Sequence, residues 1–246
     1  MARNVGGDRV EVEALLPSGA DPHTYELTPD RIAAITRADV VFANGLGLEG
    51  NLLDVVAQNA SDTVVELSEG LDTLAGNPHL WLDPRLGAVY VERIRDALID
   101  ADPAGAAEYE TNATAYLEQL GDLDRELDAA VASIPAERRK LVTFHDAYPY
   151  LAARYGLEVV AVVAPSPGQE PSARDVAELV SAIRDENVPA VFKEPQFNAE
   201  VLELAAGDAG VRVLDLLSDA YANGVASYLD LMRFNLRQLQ EGLGDE

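Results

Sequence analysis

Short apolar runs alternate with segments of helical periodicity along most of the chain. The runs that predict strands cover residues 10–16, 40–43, 63–67, 141–144, 158–163, 190–192 and 211–214. The segments that predict helices cover residues 29–38, 48–57, 85–100, 147–155, 172–186, 199–206 and 226–243, and residues 165–171 predict a turn-rich loop. Because strands that alternate with helices are typical of βαβ units, the pattern predicts parallel sheets packed against helices.

The middle of the chain carries one long apolar seam instead of this alternation. Its buried positions recur mostly at steps of four and three residues, at Tyr109, Ala113, Tyr116, Leu120, Leu123, Leu127 and Ile134. A helix of about 30 residues is about 45 Å long, longer than an ordinary crossover helix. We therefore predict an α/β chain with an N-terminal lobe at residues 1–102, a rigid linking helix at 103–134 and a C-terminal lobe at 135–246. A coiled-coil dimerisation arm is the alternative interpretation of the seam.

Charge and composition exclude some classes of binding partner and of metal site. The 246 residues include 18 Lys+Arg against 43 Asp+Glu, which gives a net charge of −25, and there is no cysteine. A chain this acidic repels nucleic-acid phosphates, and the lack of thiols excludes disulfides and thiolate metal sites. No run approaches the roughly 20 apolar residues of a membrane helix. Only Lys140 and Lys193 are lysines, which fits either a salt-rich environment or a codon bias toward arginine.

The three histidines are the candidate metal-binding residues. His23, His79 and His145 all fall beside loops or predicted strand ends. Imidazole is a common ligand for Zn²⁺, which favours four nitrogen or oxygen ligands. A fourth ligand is expected to be a carboxylate at another strand end, either Asp215 or Glu194. The sequence therefore indicates a metal site built from imidazoles and one carboxylate, although each histidine alone is also compatible with an ordinary structural role.

Six segments carry a resemblance to a known family. They are GADPHTYELTPD (19–30), VFANGLGLE (41–49), NPHLWLDP (77–84), TFHDAYPYLAARYGL (143–157), FKEPQF (192–197) and SYLDLMRFN (227–235). In this order the chain resembles the metal-specific solute-binding proteins that feed zinc and manganese ABC importers. The resemblance implies two α/β lobes bridged by one long helix, with the metal in the cleft between them. It implies the ligands His23, His79, His145 and Asp215, with Asp146, Asp83 or Glu194 orienting the imidazoles.

The same resemblance implies a function without catalysis. The protein is expected to capture a divalent metal outside the cytoplasm, as a monomer, and to deliver it to a membrane permease. Zn²⁺ is favoured over Mn²⁺, because members that prefer manganese often carry a carboxylate where this chain has His145. Family members usually have a strand, a helix and a lipid-anchoring cysteine upstream of the segment that resembles residues 4–8, so we expect the anchor in a missing N-terminal segment.

Two alternatives from other functional classes remain. A zinc hydrolase would use the three histidines as ligands, a bound water, and Glu194 or Asp215 as general base. An adhesin on the same scaffold would present an exposed apolar patch, and the sequence shows no clear one.

Overall fold

The computed structural model describes residues 1–50, 52–60, 63–164 and 172–244. The chain divides into two compact units, residues 1–122 and residues 123–246. The division falls inside the longest helix, whereas the sequence pattern assigned that helix to a linking segment of its own. The predicted loop at residues 165–171 lies outside the described residues.

Among its described residues, the first unit contains four α-helices, a two-stranded sheet and the start of a long helix that continues into the second unit. Its elements are α1 (Ala2–Gly6), α2 (Pro29–Arg37), β1 (Val40–Ala43), α3 (Leu52–Asn59), β2 (Thr63–Glu66), α4 (Pro84–Ala101) and α5 (Ala106–Ala132), which crosses the division. Strands β1 and β2 are parallel, with Val40 opposite Thr63. Ile35, Val41 and Val56 form a small buried core around them.

The predicted strand at residues 10–16 is wrong. Val10 is extended, but the segment that follows it forms no ladder with β1 or with any other described strand. Apolar and acidic residues alternate there, which is the pattern of a strand with one buried face. The alternation describes only the side chains, whereas a strand also needs a neighbouring backbone to pair with. Leu15 of this segment packs against the small core around the sheet.

Helix α3 begins later than the pattern predicts. The chain turns through positive φ angles at Gly45, Leu46, Gly47 and Gly50 before the helix begins at Leu52. Glycine adopts this left-handed region without steric cost, so the glycines allow the turn that delays the helix.

The structure confirms the long helix predicted from the apolar seam. Helix α5 has 27 residues, and Tyr109, Ala113, Tyr116, Leu120, Leu123 and Leu127 are all nearly inaccessible to solvent. Within the described residues, no helix is both long enough and apolar enough to cross a membrane.

The second unit is a four-stranded parallel sheet with helices. Its elements are β3 (Lys140–His145), α6 (Pro149–Tyr155), β4 (Glu158–Ala164), α7 (Ala173–Asp185), β5 (Ala190–Lys193), α8 (Glu200–Ala209), β6 (Arg212–Asp215) and α9 (Tyr228–Leu243). A reciprocal capping box between Ser172 and Asp175 starts α7 where the sequence places it. The core contains Val142, Val191 and Leu202. These elements confirm the predicted α/β class.

The strand order of the second unit determines where a ligand can bind. The order is β4-β3-β5-β6, so the chain leaves β3 toward one side of the sheet and later returns to its other side. Neighbouring connections therefore diverge between β3 and β5, which opens a crevice at the carboxyl ends of these two strands. His145 is the last residue of β3, and Glu194 directly follows β5.

Candidate metal centre

Two similar tripeptides carry the histidines of the first unit. They are Asp21-Pro22-His23 and Asn77-Pro78-His79. In each, the side-chain oxygen of the first residue accepts a hydrogen bond from the backbone N–H of the histidine, at 2.9 Å for Asp21 and 3.0 Å for Asn77. This is an Asx turn, and the intervening proline restricts the backbone further. Both histidines are therefore held by a local turn rather than by a strand or a helix.

The two imidazoles of the first unit lie side by side. The Nε2 atoms of His23 and His79 are 3.3 Å apart, and the ring centroids are 5.4 Å apart. His79 is 2% exposed and also contacts the ring of Trp81. Its Nδ1 lies 2.8 Å from the side-chain oxygen of Asn77. Because that oxygen accepts hydrogen bonds, Nδ1 carries the proton and Nε2 has the lone pair.

A buried polar side chain connects the His79 loop to the rest of the unit. Asn44, which follows β1, donates from Nδ2 to the carbonyl of Pro78 at 3.0 Å. The hydroxyl of Tyr90 in α4 donates to Asn44 Oδ1 at 2.5 Å. The loop position thus depends on the sheet and on α4 together.

Asp83 has a different role from the one expected. Its carboxylate accepts from Arg85 N and so caps the first turn of α4, where it also pairs with the Arg85 guanidinium. The carboxylate contributes to the start of the helix, and the oxygen that contacts the His79 ring nitrogen belongs to Asn77 instead.

His145 belongs to a buried polar cluster in the second unit. Its Nδ1 lies 2.6 Å from Glu194 Oε2, and its backbone N–H donates to the same oxygen at 3.3 Å. The other oxygen of Glu194 accepts a hydrogen bond from the hydroxyl of Ser218. Both His145 and Glu194 are 1% exposed, and Phe197 packs with its ring against the imidazole. Glu194 is thus the carboxylate that orients the His145 imidazole.

The carboxylate beside Nε2 of His145 is that of Asp219. Its Oδ2 lies 3.3 Å from His145 Nε2, and its side chain is fully buried. The structure does not bring Asp215 to this position. Asp215 ends β6, and its carboxylate instead accepts a hydrogen bond from Asn223 at 2.9 Å. The chain runs on for four more residues before an aspartate reaches the crevice.

The electrostatic environment of His145 favours a positive charge. Burial lowers the pKa of the imidazole, but the carboxylates of Glu194 and Asp219 outweigh that effect and raise the pKa to about 10. A buried pocket that stabilises one positive charge against two carboxylates also suits a cation. Tyr148 packs nearby, and burial raises the pKa of its hydroxyl well above the ordinary value, so it stays neutral.

Sequence reasoning did not identify Asp219, Ser218 or the role of Asn77. The signal for Asn77 was present, since an Asx residue two positions before a histidine is the spacing of an Asx turn, and Asp21 repeats it. Ser218 and Asp219 lie in an irregular loop, where no periodicity predicts which side chain faces the crevice.

Comparisons with known proteins place this chain among metal-binding proteins. The family model of the periplasmic zinc-uptake complex component A, ZnuA, matches residues 1–242. The manganese-binding lipoprotein MntA of Halalkalibacterium halodurans is 34% identical over 98% of this chain and 83% of its own length. The iron-binding protein YfeA of Yersinia pestis is 33% identical over 99% of this chain and 83% of its own.

A solved structure agrees with these relatives. The periplasmic zinc-binding protein TroA of Treponema pallidum matches with a TM-score of 0.91 and 29% identity, over 99% of this chain and 95% of that one. All three proteins are named for binding a metal, and the matching family model is that of a metal-uptake component, which confirms the resemblance to metal-specific solute-binding proteins. From the match across residues 1–242 and these relatives, the chain belongs to the ZnuA family of periplasmic metal-uptake proteins.

Proposed function

We propose that this protein is the extracytoplasmic substrate-binding component of an ABC importer, and that its substrate is a divalent transition metal, Zn²⁺ in preference to Mn²⁺. It delivers the metal to a membrane permease, acts as a monomer and is anchored at the membrane surface through an N-terminal segment. Family membership supports the transport role. The relatives named above bind manganese, iron or zinc, so their names leave the choice of metal to the ligands of this chain.

The ligands that we propose are His23, His79, His145 and Asp219, each of which offers one ligand atom. Asp219 replaces Asp215 in this set, because Asp219 lies beside His145 Nε2 and Asp215 does not.

The geometry of the two pairs is the observation that supports zinc. Two ligand atoms at about 2.05 Å from a tetrahedral Zn²⁺ are about 3.3 Å from each other. The separation is 3.3 Å both for His23 Nε2 and His79 Nε2 and for His145 Nε2 and Asp219 Oδ2. Three imidazole nitrogens with one carboxylate oxygen are also better suited to Zn²⁺ than to the harder Mn²⁺.

The test is calorimetric titration of the metal-stripped protein with Zn²⁺ and with Mn²⁺. We expect one ion per chain and a lower Kd for Zn²⁺. Asp219→Ala should raise the Kd for Zn²⁺ by at least about a hundredfold, since loss of a ligand costs more than loss of a residue that only supports one.

The matched control is Asp215→Ala, which removes a carboxylate from the same region and should change the Kd less than about threefold. Equal effects of the two substitutions would refute the ligand assignment. A stoichiometry of two ions would show that each pair binds separately, and the absence of saturable binding would refute the proposed function.

A further inference from the structure

Two of the proposed ligands are held through the same ring nitrogen by acceptors of different charge. His79 Nδ1 faces the neutral amide oxygen of Asn77 at 2.8 Å, whereas His145 Nδ1 faces the carboxylate of Glu194 at 2.6 Å. In both cases the acceptor fixes the proton on Nδ1 and directs Nε2 toward the metal. The two histidines therefore share a geometry but differ in the charge of the side chain that contacts Nδ1.

Glu194 contacts hydrogen-bond donors on both of its oxygens. His145 N and Nδ1 contact Oε2, while the Ser218 hydroxyl donates to Oε1 and the Gln196 amide also reaches Oε1, at 3.4 Å. A side chain with donors on both oxygens acts as an acceptor, and these contacts leave Glu194 little freedom to become a ligand itself.

The same contacts connect the two ligand-bearing loops of the second unit. Glu194 holds His145, at the end of β3, through Nδ1. It holds Ser218, the residue that precedes Asp219, through the hydroxyl. One buried side chain after β5 therefore sets the positions of both proposed ligands of this unit.

Burial makes the charge of Glu194 effective. Its side chain is fully inaccessible, and a charge acts more strongly on its neighbours in such a low-dielectric environment than at the surface. A carboxylate that accepts the Nδ1 proton raises the electron density and basicity of the opposite nitrogen, Nε2. A neutral amide such as that of Asn77 does this less.

We propose that Glu194 is a positioning residue that sets metal specificity, because it makes His145 a stronger nitrogen donor and so favours Zn²⁺ over Mn²⁺. The inference rests on the proposed function. The borderline ion Zn²⁺ gains more from a basic imidazole nitrogen than the harder Mn²⁺, which prefers oxygen ligands. The Glu194–His145 pair and the Asn77–His79 pair thus contribute unequally to the choice of metal.

The test removes the negative charge that contacts His145 Nδ1 and, in a second variant, adds one next to His79 Nδ1. Glu194→Gln keeps the side-chain shape and an oxygen for Nδ1 but removes the charge, while Asn77→Asp adds a charge behind His79 and keeps its oxygen. The Kd values for Zn²⁺ and Mn²⁺ are measured by competition with a chelator on each metal-stripped full-length variant, together with the visible spectrum of bound Co²⁺ and the Tm of the metal-free form.

We expect Glu194→Gln to raise the Kd for Zn²⁺ by about ten- to a hundredfold, the usual cost of losing such a partner, and to raise that for Mn²⁺ by less. Asn77→Asp should lower the Kd for Zn²⁺ relative to that for Mn²⁺, and the Co²⁺ spectrum should change in both variants. Ser218→Ala leaves the charge in place, so it should affect both metals alike.

Other results would overturn the inference. One is an unchanged ratio of the Zn²⁺ and Mn²⁺ constants in Glu194→Gln, even if both constants rise together with a fall in Tm, because that is the signature of a purely structural residue. If Glu194→Gln does not fold, an unchanged ratio in Asn77→Asp overturns it equally. Failure of the unmodified chain to bind either ion refutes the proposed function instead.

Discussion

At the scale of single residues, Asp102 connects the N-terminal segment to α5. Its carboxylate accepts from Arg9 Nε at 2.5 Å and from the Tyr109 hydroxyl at 2.9 Å. The hydrogen bond from Arg9 is the main cause that lowers the pKa of Asp102, from 3.8 to about 2. The ion pair is about 37% exposed on both sides, so salt screens it in part.

The depressed pKa of Asp102 predicts a dependence of stability on pH. A carboxyl group with a lowered folded-state pKa stabilises the fold fully above its unfolded value near 3.8 and loses that effect as the pH falls through about 2. We expect Asp102→Asn to lower the urea midpoint at pH 7, and we expect the gap to the unmodified chain to narrow between pH 4 and pH 2.

Urea titrations from pH 2 to pH 7 measure this gap. Glu178→Gln is the control, since its ion pair with Arg174 lies on an exposed helix face and should matter little. A gap for Asp102→Asn that stays constant over this pH range would contradict the assignment.

Residues of the candidate site were predictable where nearby sequence features, such as strand ends and prolines, fix their position. His23, His79 and His145 could be found because imidazoles beside strand ends and prolines suggest a ligand role, and the structure pairs His23 with His79. The position of Asp219 beside His145 could not be predicted, because it depends on the path of an irregular loop. That path is fixed by long-range contacts such as the hydrogen bonds between Asn235 and the backbone of Leu217.

At the scale of elements, a glycine lies where α9 packs closely against β5. A Cβ atom built on Gly242 would lie 2.9 Å from Phe192 Cζ and 3.2 Å from Ala190 Cβ. Phe192 is completely buried, so a shift of its ring would disturb the surrounding core. The glycine therefore permits a close approach that any larger side chain would open.

We predict that Gly242→Ala destabilises the protein by roughly 1–2 kcal/mol, because overpacking outweighs the gain of about 1 kcal/mol from better helix propensity. Gly207→Ala in α8 is the matched control. Nothing lies within 4 Å of a Cβ atom at that position, so this variant should gain roughly 0.5–1 kcal/mol. Equilibrium urea denaturation gives both values, and stabilisation by both substitutions would refute the packing argument.

Helix starts were easier to predict than strands, because the residues that mark a helix start lie next to it in the sequence. Helices α2, α4 and α7 begin within a residue or so of the predicted positions, because proline or a capping side chain marks each start. The predicted strand at residues 10–16 is wrong, because strand formation depends on a partner that is distant in sequence. The same dependence hides the order β4-β3-β5-β6, which sequence alternation alone does not determine.

At the scale of the whole molecule, the candidate site accounts for little of the charge. Asp219 and Glu194 are two of the 43 acidic residues, and the three histidines add no negative charge. The remaining excess lies elsewhere, for example on Glu110 and Glu118, which are exposed on α5. A net charge of −25 repels itself in the compact state, and the repulsion decreases as ions screen it.

This excess predicts that salt stabilises the protein. The screening length falls from about 10 Å at 0.1 M ionic strength to about 3 Å at 1 M. Since acidic residues outnumber basic ones by more than two to one, screening should remove more repulsion than attraction. We expect the urea midpoint to rise between 0.05 M and 1 M KCl, and urea is the suitable denaturant because it is uncharged.

A charge-reduced variant separates screening from general salt effects. Glu110→Gln combined with Glu118→Gln removes two negative charges at exposed positions, so it should stabilise the protein at 0.05 M KCl and have no effect at 1 M. A urea midpoint that is independent of salt would contradict adaptation to a salt-rich environment and would favour codon bias as the origin of the composition. A rise in the midpoint that is equal in the variant and the unmodified chain would mean that salt acts on apolar burial rather than on charge, since only the electrostatic effect depends on the number of acidic residues.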